Sequence, residues 1–228
     1  MSTRFLPEPE GNALLATLSA FGQSFSVTES LPGSRSWTNV TEFVRERFNR
    51  HYGARPDISM TRLLSLRDEA GTVQAAVGIR GASDSSLFLE HYLDAPIETY
   101  VHQHTNMSMV RNSIIEIGHL AGGGAGKSRL LFVALTALLT RWHYHWIAFT
   151  GTQEVRNIFR ALQLAPVSIA VADPARLADA GTSWGSYYAH APEVMIGEIN
   201  GGHTTLRDSG CYQLLNLRLF TEVAHAVA

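Results

Sequence analysis

The sequence predicts a single α/β domain, and three observations carry that expectation. Residues 113–172 run strand, glycine loop, helix, strand, helix, strand, the alternation of a layered α/β fold. An amphipathic helix and a hairpin precede that unit, with no Ser/Gly/Pro-rich linker between them. A chain of 228 residues with 45% apolar and 17% charged side chains can bury a sizeable core without staples.

Residues 1–38 are broken by Pro7, Pro9, Gly11, Pro32 and Gly33, and are expected to form an N-terminal extension. Within them Ala13–Phe21 suits a short helix or strand. The domain proper is expected over 39–228. From Asn39 to Gly53, the residues Val40, Phe43, Val44, Phe48 and Tyr52 fall near helical spacing, with Thr38 or Asn39 as cap and Gly53 as stop. Arg62–Leu66 and Thr72–Arg80 read as strands around a turn at Asp68–Gly71. Ser85–Leu93 suits a further short strand, and Pro96–Met109 a helix opened by its proline. Ser113–Leu120 is a strand with one embedded carboxylate, and Lys127–Trp142 a strongly apolar helix. His145–Thr150 and Val167–Ala172 are strands either side of a helix over Gln153–Leu164. Glu193–Glu198 is expected as a strand and Tyr212–Ala226 as a closing helix.

Charge and composition exclude several functions. The 18 Lys and Arg nearly balance the 20 Asp and Glu, so the chain has no basic field for nucleic acid or acidic lipid. The longest apolar run, Leu130–Leu139, is about half the length of a membrane span, so no stable insertion is expected. Residues 1–10 lack the apolar segment of a secretory signal, and a cytoplasmic protein is expected. A lone cysteine, Cys211, excludes an intrachain disulfide and a Cys-based zinc site. His102 and His104, like His143 and His145, are strand-spaced pairs without a carboxylate cluster, and no metal is expected.

The loop Ala121–Gly126 is the most informative segment. A strand feeding a glycine-rich turn and a helix N-terminus makes an anion site from backbone amides. Three readings are open. Gly126-Lys127-Ser128 is the ending of a nucleotide-binding P-loop, with Ala121 in place of its leading glycine and Asp173 ending a later apolar strand. The loop also suits the diphosphate of coenzyme A. It is otherwise a ligand-free turn.

The element order resembles the GNAT acyltransferase fold. Gly124-Ala125-Gly126 fits the end of that superfamily's diphosphate loop, and Ile158-Phe159-Arg160-Ala161-Leu162-Gln163-Leu164 is similar to its second signature, with Phe159 at the usual tyrosine. Within it the chain resembles the thermostable haemolysin family in Gly78–Ala82, Leu87–Glu98, Ile115–Ala121 and Trp184–Tyr188, with Pro192 and Val194. That family is in turn similar to the autoinducer synthases. The resemblance implies a mixed, mostly antiparallel sheet with helices on both faces, and a central strand splayed from its neighbour. It implies direct transfer of an acyl group from acyl-CoA, or from the phosphopantetheine of an acyl carrier protein, to a small amine.

Under that resemblance the donor would lie along Leu120, Ala121, Gly122, Gly124 and Gly126. Lys127, Ser128 and Arg129 would supply charge and first-turn amides, and Asn157 would touch the pantetheine arm. Glu116, mid-strand in an apolar run, is a candidate base, or else the partner of Arg80. His119, three residues on and so on the other strand face, is a second candidate base or a structural histidine. Glu90 is a third carboxylate for an acceptor ammonium, or a partner of a cation. Arg80, Trp184 and Tyr187 are candidate substrate contacts, the aromatic pair alternatively core. Strand Glu193–Glu198 offers an edge for a homodimer. A non-catalytic or membrane-active protein is the remaining alternative.

Overall fold

The computed structural model describes residues 12–105, 110–124 and 126–220. Their strands form one nine-stranded sheet: β1 (Asn12–Ala20), β2 (Gln23–Ser30), β3 (Arg62–Arg67), β4 (Val73–Gly81), β5 (Ile114–Gly122), β6 (Trp146–Gly151), β7 (Val167–Val171), β8 (Glu193–Glu198) and β9 (Arg218–Leu219). Their spatial order is β7-β8-β6-β5-β4-β3-β2-β1-β9. Only β5 and β6 run parallel; every other pair is antiparallel.

Six helices cover the sheet: α1 (Arg35–Tyr52), α2 (Ile97–Thr105), α3 (Lys127–Arg141), α4 (Gln153–Ala161), α5 (Ile199–Asp208) and α6 (Cys211–Leu214). The α1 helix starts earlier than its apolar spacing predicts, because the Ser34 hydroxyl accepts from the Trp37 amide. Gly53 ends it at φ +66, as expected. Val40, Val44 and Phe48 of α1 pack on Leu63, Ala76 and Ala121 on one face of the sheet. On the other face Leu131, Phe132 and Leu135 of α3 meet Phe25, Leu64, Val77 and Ile117. Burial of these side chains, about 1.5–3 kcal/mol each, holds the layers together.

Three expectations are corrected. Residues 12–30, expected as part of an extension, form β1 and β2 within the sheet, and their inward residues Leu18, Phe25 and Val27 belong to its core. Ser85–Leu93 forms no strand; Phe88–Tyr92 is a 3-10 turn. The closing helix over Tyr212–Ala226 is replaced by the short α6 and by β9, which pairs with β1; residues 221–226 lie outside the described residues, as do 106–109 of the expected helix Pro96–Met109. Among the described residues no helix is long and apolar enough to cross a membrane.

Candidate active site

The site begins where the parallel ladder stops. β5 and β6 pair only from Ile114 with Trp146 to Ile117 with Phe149. Beyond Ile117, β5 runs on to Gly122 paired with β4 alone. At this divergence β5 carries an extra residue: Gly118 and Ala121 stand opposite Gly78 and Ala76, and His119 sits at φ +52. Such a bulge re-aims a side chain. Strict alternation puts His119 on the face opposite Glu116. The bulge instead turns its ring toward α1 and the same cleft, with Phe48 at 6.2 Å and Trp184 stacked at 5.9 Å between ring centroids.

The glycines beside the bulge are used for close approach. Gly78 and Gly118 are paired across β4 and β5, and Met60 lies over both. A Cβ at Gly78 would collide with the stem of the Met60 side chain, and one at Gly118 with its terminal methyl. Met60, Glu116 and His119 line one side of the cleft, and Thr150 and Thr152 the other. Phe48 and Tyr52 of α1, with Trp184 and Tyr187, close it on the α1 face; Phe132 and Phe149 form its floor. The free space between them is about 70 Å³. Trp184 is held there by backbone: Ser186 N–H donates to the Tyr52 carbonyl at 2.8 Å, and at Gly185 (φ +55) any Cβ would strike that same carbonyl.

Besides its tyrosines, an imidazole and a carboxyl group line the cleft. His119 is 9% exposed, and neither ring nitrogen has a hydrogen-bond partner. Burial drives its pKa down to about 4; Asp57 backbone pulls the other way without a bond of full geometry, and Arg80 adds to the lowering. The imidazole is therefore neutral at neutral pH. Glu116 is 3% exposed and accepts from the amides of Phe88 (3.0 Å) and Leu89 (2.9 Å), opening the 3-10 turn. Burial raises its pKa, against those two amides and Arg80. The Arg80 Nε lies 3.9 Å from the carboxylate, an ion pair without a hydrogen bond.

A second space of about 240 Å³ adjoins the cleft, which shares Phe48, Tyr52 and Leu120 with it. It is walled by the start of the glycine loop (Leu120, Ala121, Gly122) and by Arg47, Arg50 and His51 of α1. Arg50 is paired with Glu46, and His51 with Glu154 at 3.2 Å. Arg47 has no carboxylate partner among the described residues; its Nε is buried without a hydrogen bond, and its Nη2 approaches the position of a Gly123 Cβ at 3.5 Å. The loop is anchored by Gly123 N–H, which donates to the Gln74 carbonyl at 2.7 Å, and Gly126 caps α3 at φ +90. The first-turn amides of α3 add the positive end of its dipole.

The remaining sequence candidates fall elsewhere. Glu90 does not line the cleft. It accepts from the Leu87 and Ile97 amides and from both Arg111 terminal nitrogens (2.7 and 2.8 Å), which outweigh burial and hold its pKa below the usual range. The Arg80 guanidinium donates to Ser59 and to the Ser86 carbonyl, a tie between loops rather than a free substrate contact. The Lys127 ammonium rests on aromatic rings, 4.0 Å from the centre of Phe25 and 5.6 Å from that of Phe21. Ser128 Oγ packs against Gly122, and Arg129 lies beside Gly126. Gly124 carries φ +142, a conformation that favours glycine. Asn157 is exposed and accepts from Gln153 and Arg160. Trp184 and Tyr187 do line the cleft. Sequence reasoning missed Arg47, Phe48, Tyr52 and Met60. Phe48 and Tyr52 are legible as one helical face, but nothing local says which strand they meet.

The geometry gives the P-loop alternative no footing. One parallel pair flanks the loop, Lys127 rests on an aromatic ring, and Asp173 accepts from the Ala175 amide at 2.9 Å to cap its own turn. Among the described residues no three His, Cys, Asp or Glu side chains gather as a metal site.

The comparisons agree on architecture. The chain is similar to an arylalkylamine N-acetyltransferase 7 from the yellow fever mosquito, described as putative (TM-score 0.54, 10% identity, 87% of this chain and 100% of that one). It is similar to FeeM, an N-acyl amino acid synthase from uncultured soil microbes (TM-score 0.52, 10% identity, 87% and 97%), and to the AHL synthase LasI (TM-score 0.50, 12% identity, 78% and 92%). At these identities the likeness establishes the GNAT fold. No curated protein matches the sequence. The family model described as thermostable hemolysin matches residues 31–203, most of the sheet and both walls of the cleft, and the chain belongs to that family.

Proposed function

We propose that this protein is an acyltransferase that moves an acyl group from a pantetheine thioester, on coenzyme A or on an acyl carrier protein, to a small-molecule amine. The observation that carries this reading is the open end of the β5–β6 ladder. It holds a buried imidazole without a hydrogen-bond partner and lies beside a glycine loop with an arginine that has no carboxylate partner among the described residues.

In the reaction the amine nitrogen bonds to the thioester carbonyl carbon, the carbon–sulfur bond breaks, and the proton lost by nitrogen ends on the departing thiolate. Beyond Ile117, the side of β5 that faced β6 has no ladder partner, so its amides are available to a carbonyl oxygen. His119 faces the cleft as a neutral ring with a free nitrogen. A base this weak suffices once nitrogen has attacked, because the attached carbon makes its proton far more acidic. Glu116 lies in the same cleft, held by the Phe88 and Leu89 amides, and in its ionised form its carboxylate favours the positive nitrogen as it forms. Arg47 and the loop amides suit the diphosphate or phosphate of the donor. The nearby Tyr52, Tyr187 and Trp184 would then face the acceptor.

A thermal-shift panel tests the reading. Coenzyme A and acyl-CoA should raise the melting temperature, since a ligand that binds only the folded state stabilises it, and ATP with magnesium should not. Stabilisation by ATP with magnesium and by no thioester would overturn the proposal.

A further inference from the structure

A third space lies between α3, the end of α4 and α5, open at the surface by Gln163 and Glu198. It holds about 280 Å³ of free volume against the 70 Å³ of the cleft. Leu139, Ile147 and Leu164 make its inner wall apolar, and Gly202 of α5 lies at its outer side. Phe132 lines both the cleft and this cavity. Phe149 lines the cleft only, and Phe159 the cavity only. The Phe159 ring stacks on Phe149 at 4.8 Å and 18°, and tilts against Phe132 at the same distance. All three are buried. The two spaces are thus divided by one layer of phenyl rings, with Phe159 as the leaf between them.

We propose that Phe159 sets the length of acyl chain this protein accepts, and that the cavity beyond is the continuation of the chain's path, shut off from the cleft by the phenyl layer. The inference rests on the acyl-donor reading above. A thioester carbonyl beside His119 directs its alkyl chain toward the Phe132–Phe149 floor, the side of the cleft with no polar side chain. The chain advances until it meets the Phe132–Phe149–Phe159 layer. Each further methylene gains burial only if it can pass that layer. Short chains therefore bind in full, and long chains leave their ends in water or do not enter.

The test measures binding of hexanoyl, decanoyl and tetradecanoyl thioesters by calorimetry, each as the coenzyme A and the plain pantetheine form, with coenzyme A itself as control. The wild type should bind hexanoyl-CoA more tightly than coenzyme A and gain nothing from the longer chains. Phe159→Ala should bind tetradecanoyl-CoA at least about tenfold more tightly than the wild type does, while its affinity for hexanoyl-CoA changes little. Phe159→Leu, which keeps more of the core volume, should show the same shift in smaller degree and covers the case in which the alanine variant does not fold. Gly202→Leu should cancel the gain, since a Cβ there meets Leu164 at 3.4 Å and Thr136 at 3.8 Å in ordinary contact, and its side chain fills the cavity. The pantetheine forms should repeat the length profile, because the limit lies in the alkyl path. A wild type that already prefers tetradecanoyl chains, or variants that bind thioesters with an unchanged profile, would overturn the inference and leave the acyl-donor reading standing. A wild type that binds none of the probes would overturn both.

Discussion

The buried imidazole of His119 makes the stability of this protein depend on acidity in a calculable way. Burial lowers its pKa from 6.5 to about 4 in the folded chain, while the unfolded chain keeps the ordinary value. Between those two values the unfolded state binds the proton and the folded state does not, so stability falls as pH falls through that window. Above pH 6.5 both states are neutral and the residue contributes no slope. A displacement of this size corresponds to about 3 kcal/mol when fully expressed, and about 2 kcal/mol by pH 5. The perturbation is His119→Asn, which removes the titrating ring and tolerates the positive φ of the bulge. Urea unfolding curves of both proteins are compared at about pH 7 and about pH 5, each giving a free energy by linear extrapolation. Other acids titrate equally in both, so the difference of differences isolates the imidazole. The wild type should lose about 2 kcal/mol more than the variant over this interval. Parallel losses would show that the ring is hydrated or paired in solution, and the reasoning from burial would be refuted.

Two further outcomes follow from the same region. Gly78→Ala should destabilise the protein by about 1–3 kcal/mol and Gly118→Ala by less, because the former meets the stem of Met60 and the latter only its mobile methyl; Met60→Ala should relieve the Gly78→Ala penalty in a double-mutant cycle of unfolding free energies, and additive losses would count against the slot. Arg47→Ala should weaken coenzyme A binding about tenfold or more and leave acyl-pantetheine binding unchanged, since only the former carries phosphates; equal losses by calorimetry would make Arg47 a structural residue.

Much of the central fold is legible in the sequence because it is locally encoded. The β5-loop-α3-β6-α4-β7 run has strong apolar periods, and Glu193–Glu198 is bounded as expected. What the sequence hides is long-range. Phe88–Tyr92 looks like a strand until Glu116, twenty-seven residues away from Leu89, supplies a carboxylate that collects its first amides. β1 and β2 are rich in Ser and Thr, so their pattern is weak until β2 pairs with β3 and β1 with β2. The face of His119 is hidden for a different reason: alternation holds only while the strand is regular, and the bulge that breaks it depends on the partner register. Glu116 and His119 are legible as candidates by residue type, whereas Arg47 and Met60 enter the site only through packing.

The sheet has the mechanics of a book with a short spine. Six strands form one leaf, from β5 to β9, and three form the other, β6, β8 and β7; four residue pairs join them. A guest wedged at the free edge is levered against that spine, so the compliance needed to admit it is concentrated in one brief ladder. The antiparallel leaves on either side can stay rigid while the angle between them changes. Hydrogen exchange should find the amides at this seam among the quickest in the sheet and the most slowed by a bound thioester.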